Sequence, residues 1–244
     1  LINAMPGEQT VCEGVIPGTI NASPPKGGTG TYTYKWIKSL DEVNWADADL
    51  PNDQETYQPP ALSDTTYFRR VTTDGFLVDT SFSVRINVHP ILQNNLITSD
   101  DTVCYNSSPG ILTASVGMTG GTGSGTYNYS WINSGDQISY QAAPGSNDEF
   151  SYLAPDLIDT TYYKRIVESG QCVDTSNMIT IKVLNNISGN IITDDQIICN
   201  NQVPSILTGP VPDGGLNIPA EKRYQWQVQF NDSWTDQGTG QNYN

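Results

Sequence analysis

Short runs rich in Val, Ile, Thr and Tyr, separated by clusters of Gly, Pro, Asn and Asp, recur along the whole chain, and no stretch sustains a helical period. That pattern predicts strands and turns. In YTYKW, residues 32 to 36, strict alternation places Tyr32, Tyr34 and Trp36 on one face of a strand. In DTTYFRRV, residues 64 to 71, the turn residues Asp64 to Thr66 lead into a strand with Tyr67, Arg69 and Val71 on one face and Phe68 and Arg70 on the other. Tyr67 is expected at the edge of the core, with the stem of Arg69 lying over that edge and its head in water.

The same elements return at a fixed spacing. YNYSW at 127 to 131 and TTYYKR at 160 to 165 repeat YTYKW and TTYFRR 95 positions later, and YQW at 224 to 226 lies 95 further on. TVC, TVC and IIC, ending at Cys12, Cys104 and Cys199, open three copies. Pro17, Pro109 and Pro204 follow them, and Gly-rich loops lie at 27 to 30, 120 to 123 and 214 to 215. The third copy ends at Asn244 before a TTY motif, so these residues are expected to be a window on a longer array. The fold class that follows is all-β: tandem immunoglobulin-like β-sandwich repeats of about 95 residues. The expected domains are residues 1–92, 93–187 and an incomplete 188–244. Trp36, Trp131 and Trp226 are the expected core fillers, and Tyr67 and Tyr162 stand where the penultimate strand begins, as in a tyrosine corner.

Four cysteines fit that topology unevenly. If the chain enters each sandwich at the same end as its last hairpin, Cys104 and Cys172 meet and form a disulfide. Pairing Cys172 with Cys199 would span the last strand, far beyond the roughly 7 Å allowed between bridged Cα atoms. Cys12 is then left alone, because its expected mate position carries Leu77, and Cys199 pairs beyond residue 244. A disulfide implies an oxidising compartment.

Composition narrows the partners. Eleven basic against 26 acidic residues give a net charge of −15, which argues against nucleic acid and anionic lipid. No apolar run approaches the roughly 20 residues of a membrane span, and no signal-peptide pattern opens at Leu1. Direct membrane insertion of this segment is therefore not expected. The single histidine, His89, reads as a linker residue, and zinc spacings, phosphate loops and nucleophile elbows do not occur. No enzyme and no cofactor are expected.

Two features carry an alternative. Asp100 with Asp101 and Asp194 with Asp195 lie at the junctions near Asn94, Asn95 and Asn190, where oxygen ligands would bind calcium and stiffen a hinge; the plainer reading is a solvated turn. Trp45, Tyr140 and Trp234 follow each core Trp on a more polar strand. They either pack across the sheet or form an aromatic ladder for sugar rings.

Taken together, C-x4-P, GG-x-G, Y-x-Y-x-W, Y-x-P-P-x-L, D-T-T-Y-Y-x-R and G-x-C-x-D-T-S resemble the tandem repeats of SprB-type gliding-motility adhesins of Bacteroidetes. Leu77 and Lys222 depart from that order. The resemblance implies export by type IX secretion and a very long filament attached to the outer membrane at the bacterial cell surface. It also implies substratum or polysaccharide attachment, and contact with the gliding and secretion machinery through regions outside this segment. The alternative is a passive extracellular stalk or matrix scaffold that spaces another domain from the cell. The resemblance further implies O-glycosylation at Asp-Ser/Thr motifs, here at Thr65, Thr102 and Thr160. Those threonines equally suit β turns.

Overall fold

The computed structural model describes residues 3–98, 100–115, 117–123, 125–193, 195–216 and 222–242. No helix occurs among them. In the first repeat, β1 (Gln9–Cys12), β2 (Thr33–Ser39), β3 (Ala46–Asp47), β4 (Thr66–Thr73), β5 (Val78–Thr80) and β6 (Val84–His89) form one sheet in the order β1-β6-β4-β2-β3, with β5 on β4. The second repeat contributes β7 (Asp101–Cys104), β8 (Ile111–Leu112), β9 (Asn128–Ser134), β10 (Gln141–Ala142), β11 (Tyr152–Leu153), β12 (Thr161–Ser169), β13 (Cys172–Thr175) and β14 (Ile179–Leu184). Its main sheet has the equivalent order, β10-β9-β12-β14-β7 with β13 on β12. The opposing layer is slight: a β8–β11 pair in the second repeat and an Ile20–Tyr57 bridge in the first. In the third copy β15 (Gln225–Phe230) and β16 (Ser233–Thr239) form a hairpin.

Each core is built on a tryptophan. Trp36 and Trp131 are fully buried, stacked on Tyr57 and Tyr152 at 5.5 and 5.7 Å between ring centroids. Each indole N–H donates to a loop carbonyl, Gln54 at 2.8 Å and Glu149 at 2.9 Å, so the large ring enters the core without an orphaned donor. Trp226 is half-buried in β15, and its N–H donates to the Gly240 carbonyl at 2.8 Å. Among the described residues the third copy has no counterpart of β4 or β12 to cover it.

The face expected for β4 is reversed. Thr66, Phe68, Arg70 and Thr72 point inward, while Tyr67, Arg69 and Val71 are half-buried on the outer face. Repeat two does the same, with Tyr163, Arg165 and Val167 inside and Tyr162 and Lys164 outside. Tyr67 and Tyr162 therefore cover the sheet's outer side, and Phe68 and Tyr163 fill the core. The reason is a side chain that is hard to picture in a core: Arg70 and Arg165 have no exposed surface. Each sits opposite the core tryptophan in register, Arg70 against Trp36 and Arg165 against Trp131.

A buried guanidinium must spend its five donors on acceptors. Arg70 donates through Nε to Asn3 Oδ1 at 2.8 Å, through Nη1 to the Glu55 carbonyl at 2.8 Å and through Nη2 to the Ser23 carbonyl at 2.6 Å. Arg165 donates to Asn95 Oδ1 through both Nε (3.1 Å) and Nη2 (2.9 Å), and through Nη1 to the Phe150 carbonyl at 2.9 Å. Its Cζ lies 5.1 Å from the centroids of both the Tyr129 and Phe150 rings, an attraction that strengthens when desolvated. Burial lowers the pKa of both arginines, with Tyr34 and Tyr129 opposing the shift. The asparagines answer in kind: Asn3 Nδ2 donates to the Arg70 carbonyl at 2.7 Å, and Asn95 Nδ2 to those of Arg165 and Asp174 at 3.3 and 3.2 Å. The chain entering each of the first two sandwiches is thus tied to β4 or β12.

Arg165→Ala strands the Phe150 carbonyl and Asn95, and is expected to destabilise the second repeat by about 2 to 4 kcal/mol in urea unfolding. Arg165→Lys, without the planar fork, is expected to recover only part of that loss. A loss under about 0.5 kcal/mol for Arg165→Ala would contradict the anchor role.

Candidate functional site at the repeat junction

The distinctive chemistry of this chain lies between its repeats. β1 runs parallel to β6, and the two end side by side, Cys12 opposite His89, with the Glu13 N–H donating to the His89 carbonyl at 2.8 Å. The chain then crosses into the second repeat through Pro90, Ile91 and Leu92. Gly120 and Gly121 receive that crossing. The Gly121 N–H donates to the Pro90 carbonyl at 2.8 Å, and a Cβ on Gly120, at φ +92°, would lie 1.9 Å from the Ile91 carbonyl oxygen. Only glycine permits both the left-handed backbone and this approach.

The β12–β13 hairpin closes over the same crossing. Cys172 at its tip is fully buried, with its sulfur 3.4 Å from the Pro90 carbonyl oxygen. Cys12 and Cys172 are joined in a disulfide, with 5.1 Å between Cα atoms. The bond is wrapped by a small apolar cluster in which Cys12, Leu92, Val167 and Cys172 are buried and Met118, Tyr127 and Tyr129 pack against them.

This corrects the expected Cys104–Cys172 bond. β7 lies parallel to β14 and carries Cys104 to Leu184, at the end of the sandwich remote from the hairpin. The register runs from Thr161 opposite Ile181 to Ser169 opposite Cys172 along β12, and Cys104 lies a further three residues past Asp101, itself opposite Ile181. At 3.3 Å per residue the two cysteines are about 36 Å apart along the strand direction. Cys12 needs no mate at Leu77, because its mate belongs to the following repeat. Cys104 and Cys199 are free and exposed.

The other expected features fall as follows. His89 ends β6 just before the crossing, with Nε2 3.2 Å from Asn87 Nδ2. Asp100 Oδ1 accepts from the Thr180 N–H at 2.7 Å and Asp101 Oδ1 from the Thr102 N–H at 2.7 Å. Asp195 is exposed, and Asp194 lies outside the described residues. Among the described residues no group of three His, Cys, Asp or Glu side chains is placed to hold a metal. Asn95, grouped with the calcium ligands in the sequence, spends its side chain on Arg165 instead. Thr65 Oγ1 accepts from the Val88 N–H at 3.0 Å and Thr160 Oγ1 from the Val183 N–H at 3.2 Å, so both hydroxyls tie the turn to the last strand. Thr102 is exposed on β7. The aromatic positions pack across the outer face: Arg69 lies 4.2 Å over Trp45 and Lys164 lies 4.5 Å over Tyr140, whereas Trp234 is exposed.

Sequence reasoning missed the junction's use of the glycine pair and the buried arginine. A signal existed for the second: the copies differ at the outer position, Arg69 against Lys164, and agree at the inner one, Arg70 and Arg165.

The fold and junction define a tandem array of immunoglobulin-like sandwiches whose first two repeats are joined covalently. The model of the family described as Domain of unknown function (DUF8696) matches residues 2–90 and again 93–185, and the chain belongs to that family. No curated protein matches it. Among solved structures it is similar to extracellular domains 3–5 of Drosophila OTK, at 12% identity and a TM-score of 0.41, over 74% of this chain and 60% of that one. It is also similar to three N-terminal domains of the bacteriophage RB49 Highly Immunogenic Outer Capsid protein, at 12% identity and a TM-score of 0.39, over 98% of this chain and 79% of that one.

Gly120→Val puts side-chain atoms into the Ile91 carbonyl and is expected to disfavour closure of the Cys12–Cys172 bond about tenfold to a hundredfold against a glutathione redox buffer, the equivalent of about 1 to 3 kcal/mol of overpacking. An unchanged equilibrium constant would show that the glycine seat does not position the cysteines.

Proposed function

We propose that this segment is a tension-resisting, non-enzymatic stretch of an extracellular filament of the adhesin type. The observation that carries this reading is the Cys12–Cys172 disulfide, which joins consecutive repeats across 160 positions of sequence. Such a bond suits an oxidising compartment outside the cytosol. Tension applied to the ends of residues 1–244 passes from Cys12 straight to Cys172, and residues 13–171 lie inside the covalent loop, sheltered from that pull. A protein that only displayed separate domains would gain little from such a loop, whereas one that is pulled gains resistance to extension.

The finer reading is a gliding-motility adhesin, and the motif order that resembles SprB-type repeats supports it. In that reading the filament is exported by type IX secretion and held at the outer membrane. It attaches to a substratum surface or its polysaccharide, and the motility machinery engages it through regions outside these residues. The strongly acidic composition, −15 over 244 residues, favours a well-solvated surface that does not adhere to nucleic acid or anionic lipid. The passive stalk shares the same latched geometry and differs in whether the filament moves.

Labelling live source cells with antibody against residues 1–244 separates the two. Spots that travel along the cell, together with loss of attachment or gliding on antibody addition, are expected for the motor-driven adhesin. Static spots on cells that glide normally would overturn the gliding reading and leave the stalk.

A further inference from the structure

The second junction repeats the backbone geometry of the first, although Ile187, at the place of the buried Leu92, is exposed. Asn185 and Asn186 take the places of Pro90 and Ile91. The Gly215 N–H donates to the Asn185 carbonyl at 2.8 Å, as the Gly121 N–H does to Pro90. A Cβ on Gly214 would lie 2.0 Å from the Asn186 carbonyl oxygen, against 1.9 Å for Gly120 and Ile91. β7 ends with Cys104 opposite Leu184, as β1 ends with Cys12 opposite His89, and the N–H of the following residue closes the same bond, Tyr105 to Leu184 at 2.9 Å. Cys104 therefore stands at the second junction where Cys12 stands at the first. Its thiol is exposed and unbonded, whereas Cys12 is covered by the hairpin that bonds it.

The turn that follows each of these cysteines repeats as well. Gly14, Asn106 and Asn201 each lie two residues after the cysteine with φ of 78°, 57° and 63°. The Val15 N–H returns to the Cys12 carbonyl and the Gln202 N–H to the Cys199 carbonyl, each at 3.0 Å. Cys199 thus carries the same local frame one repeat later.

We infer that Cys104 is a second latch site, which bonds a cysteine at the tip of the β-hairpin after the penultimate strand of the repeat seated on Asn185 and Asn186, and that such head-to-tail disulfides link successive repeats. The bond forms when two thiols lose two protons and two electrons to a disulfide oxidant, which departs as two thiols. In this scheme a repeat gives one cysteine forward from its first strand and receives one on its hairpin. Leu77, at the receiving position of the first repeat, marks a repeat that is not latched to whatever precedes it. The inference stands on the junction geometry and does not depend on what the filament attaches to.

A chimera tests it directly: residues 188–244 are replaced by a second copy of residues 93–187, which restores a complete repeat with its own hairpin cysteine. After equilibration in glutathione disulfide and glutathione, alkylation and digestion, two linkages are expected, Cys12 to the first-copy Cys172 and Cys104 to the Cys172 of the appended copy. With Cys104→Ser in the appended copy, so that a single Cys104 remains, its alkylation falls from complete to nearly none. A second host guards against poor folding of the duplicate: residues 93–187 followed by residues 1–92 carrying Leu77→Cys, where Cys104 is expected to bond the introduced cysteine. Near-UV circular dichroism of the buried tryptophans reports folding in both. Cys104 fully alkylated in a folded host, or bonded elsewhere, would overturn the inference.

Discussion

A guanidinium buried without a carboxylate holds this architecture together. Arg165 has no exposed surface and satisfies its donors on Asn95 and a loop carbonyl, while aromatic rings take its faces. The alternative of leaving such a cation unpaired is costly enough that its acceptors are effectively fixed in place. Asn95 lies three residues past Leu92, where the chain arrives from the preceding repeat. The clamp therefore fixes where the crossing begins, and the glycine pair fixes how closely it lies against the sandwich. With both in place, the tip of the β12–β13 hairpin has one position relative to the end of β1. The disulfide records that position covalently.

This ordering explains why a β-sandwich with so slight an opposing layer is usable in an array. Within each of the first two repeats the six-stranded sheet supplies the tryptophan and the buried arginine of the core, and the slight opposing layer supplies the stacked tyrosine. Between repeats a second, smaller apolar cluster forms around the sulfurs, so that the junction is packed as well as bonded. The β-hairpin loops on the outer side are held separately: Asp41 and Asp136 each accept N–H bonds from the residues two and three further on, and those bonds keep both carboxyls well below the usual carboxylate range. Stability from such carboxylates is present above their unfolded pKa and is lost as pH falls through the lowered folded one.

Much of this was legible in the residues. The period of 95, the alternation in YTYKW and the punctuation by Gly and Pro lead to tandem sandwiches with Trp36 and Trp131 at their centres. The strand TTYFRR resisted because both of its faces carry an aromatic and an arginine, so alternation alone assigns neither side to the core. Hydrophobicity then favours the face with Val71, whereas the structure chooses the one whose arginine finds carbonyl acceptors across the sandwich. The disulfide was misread for a topological reason. A first strand parallel to the last one carries its cysteine away from the hairpin of its own repeat and toward that of the next, and residue spacing within one repeat does not reveal this direction. Likewise Gly120 and Gly121 look like an ordinary loop until the preceding repeat's backbone is laid against them.

The central claim is that tension crosses the junction through sulfur and spares the enclosed residues. Single-molecule stretching of residues 1–244 between terminal handles measures it, comparing the oxidised chain with the same chain after reduction. The 160-residue separation of the bonded cysteines corresponds to about 550 Å of extended chain. The oxidised chain is predicted to reach full extension shorter by about that length, with the missing contour appearing on reduction. Equal contour lengths in the two states would contradict the account.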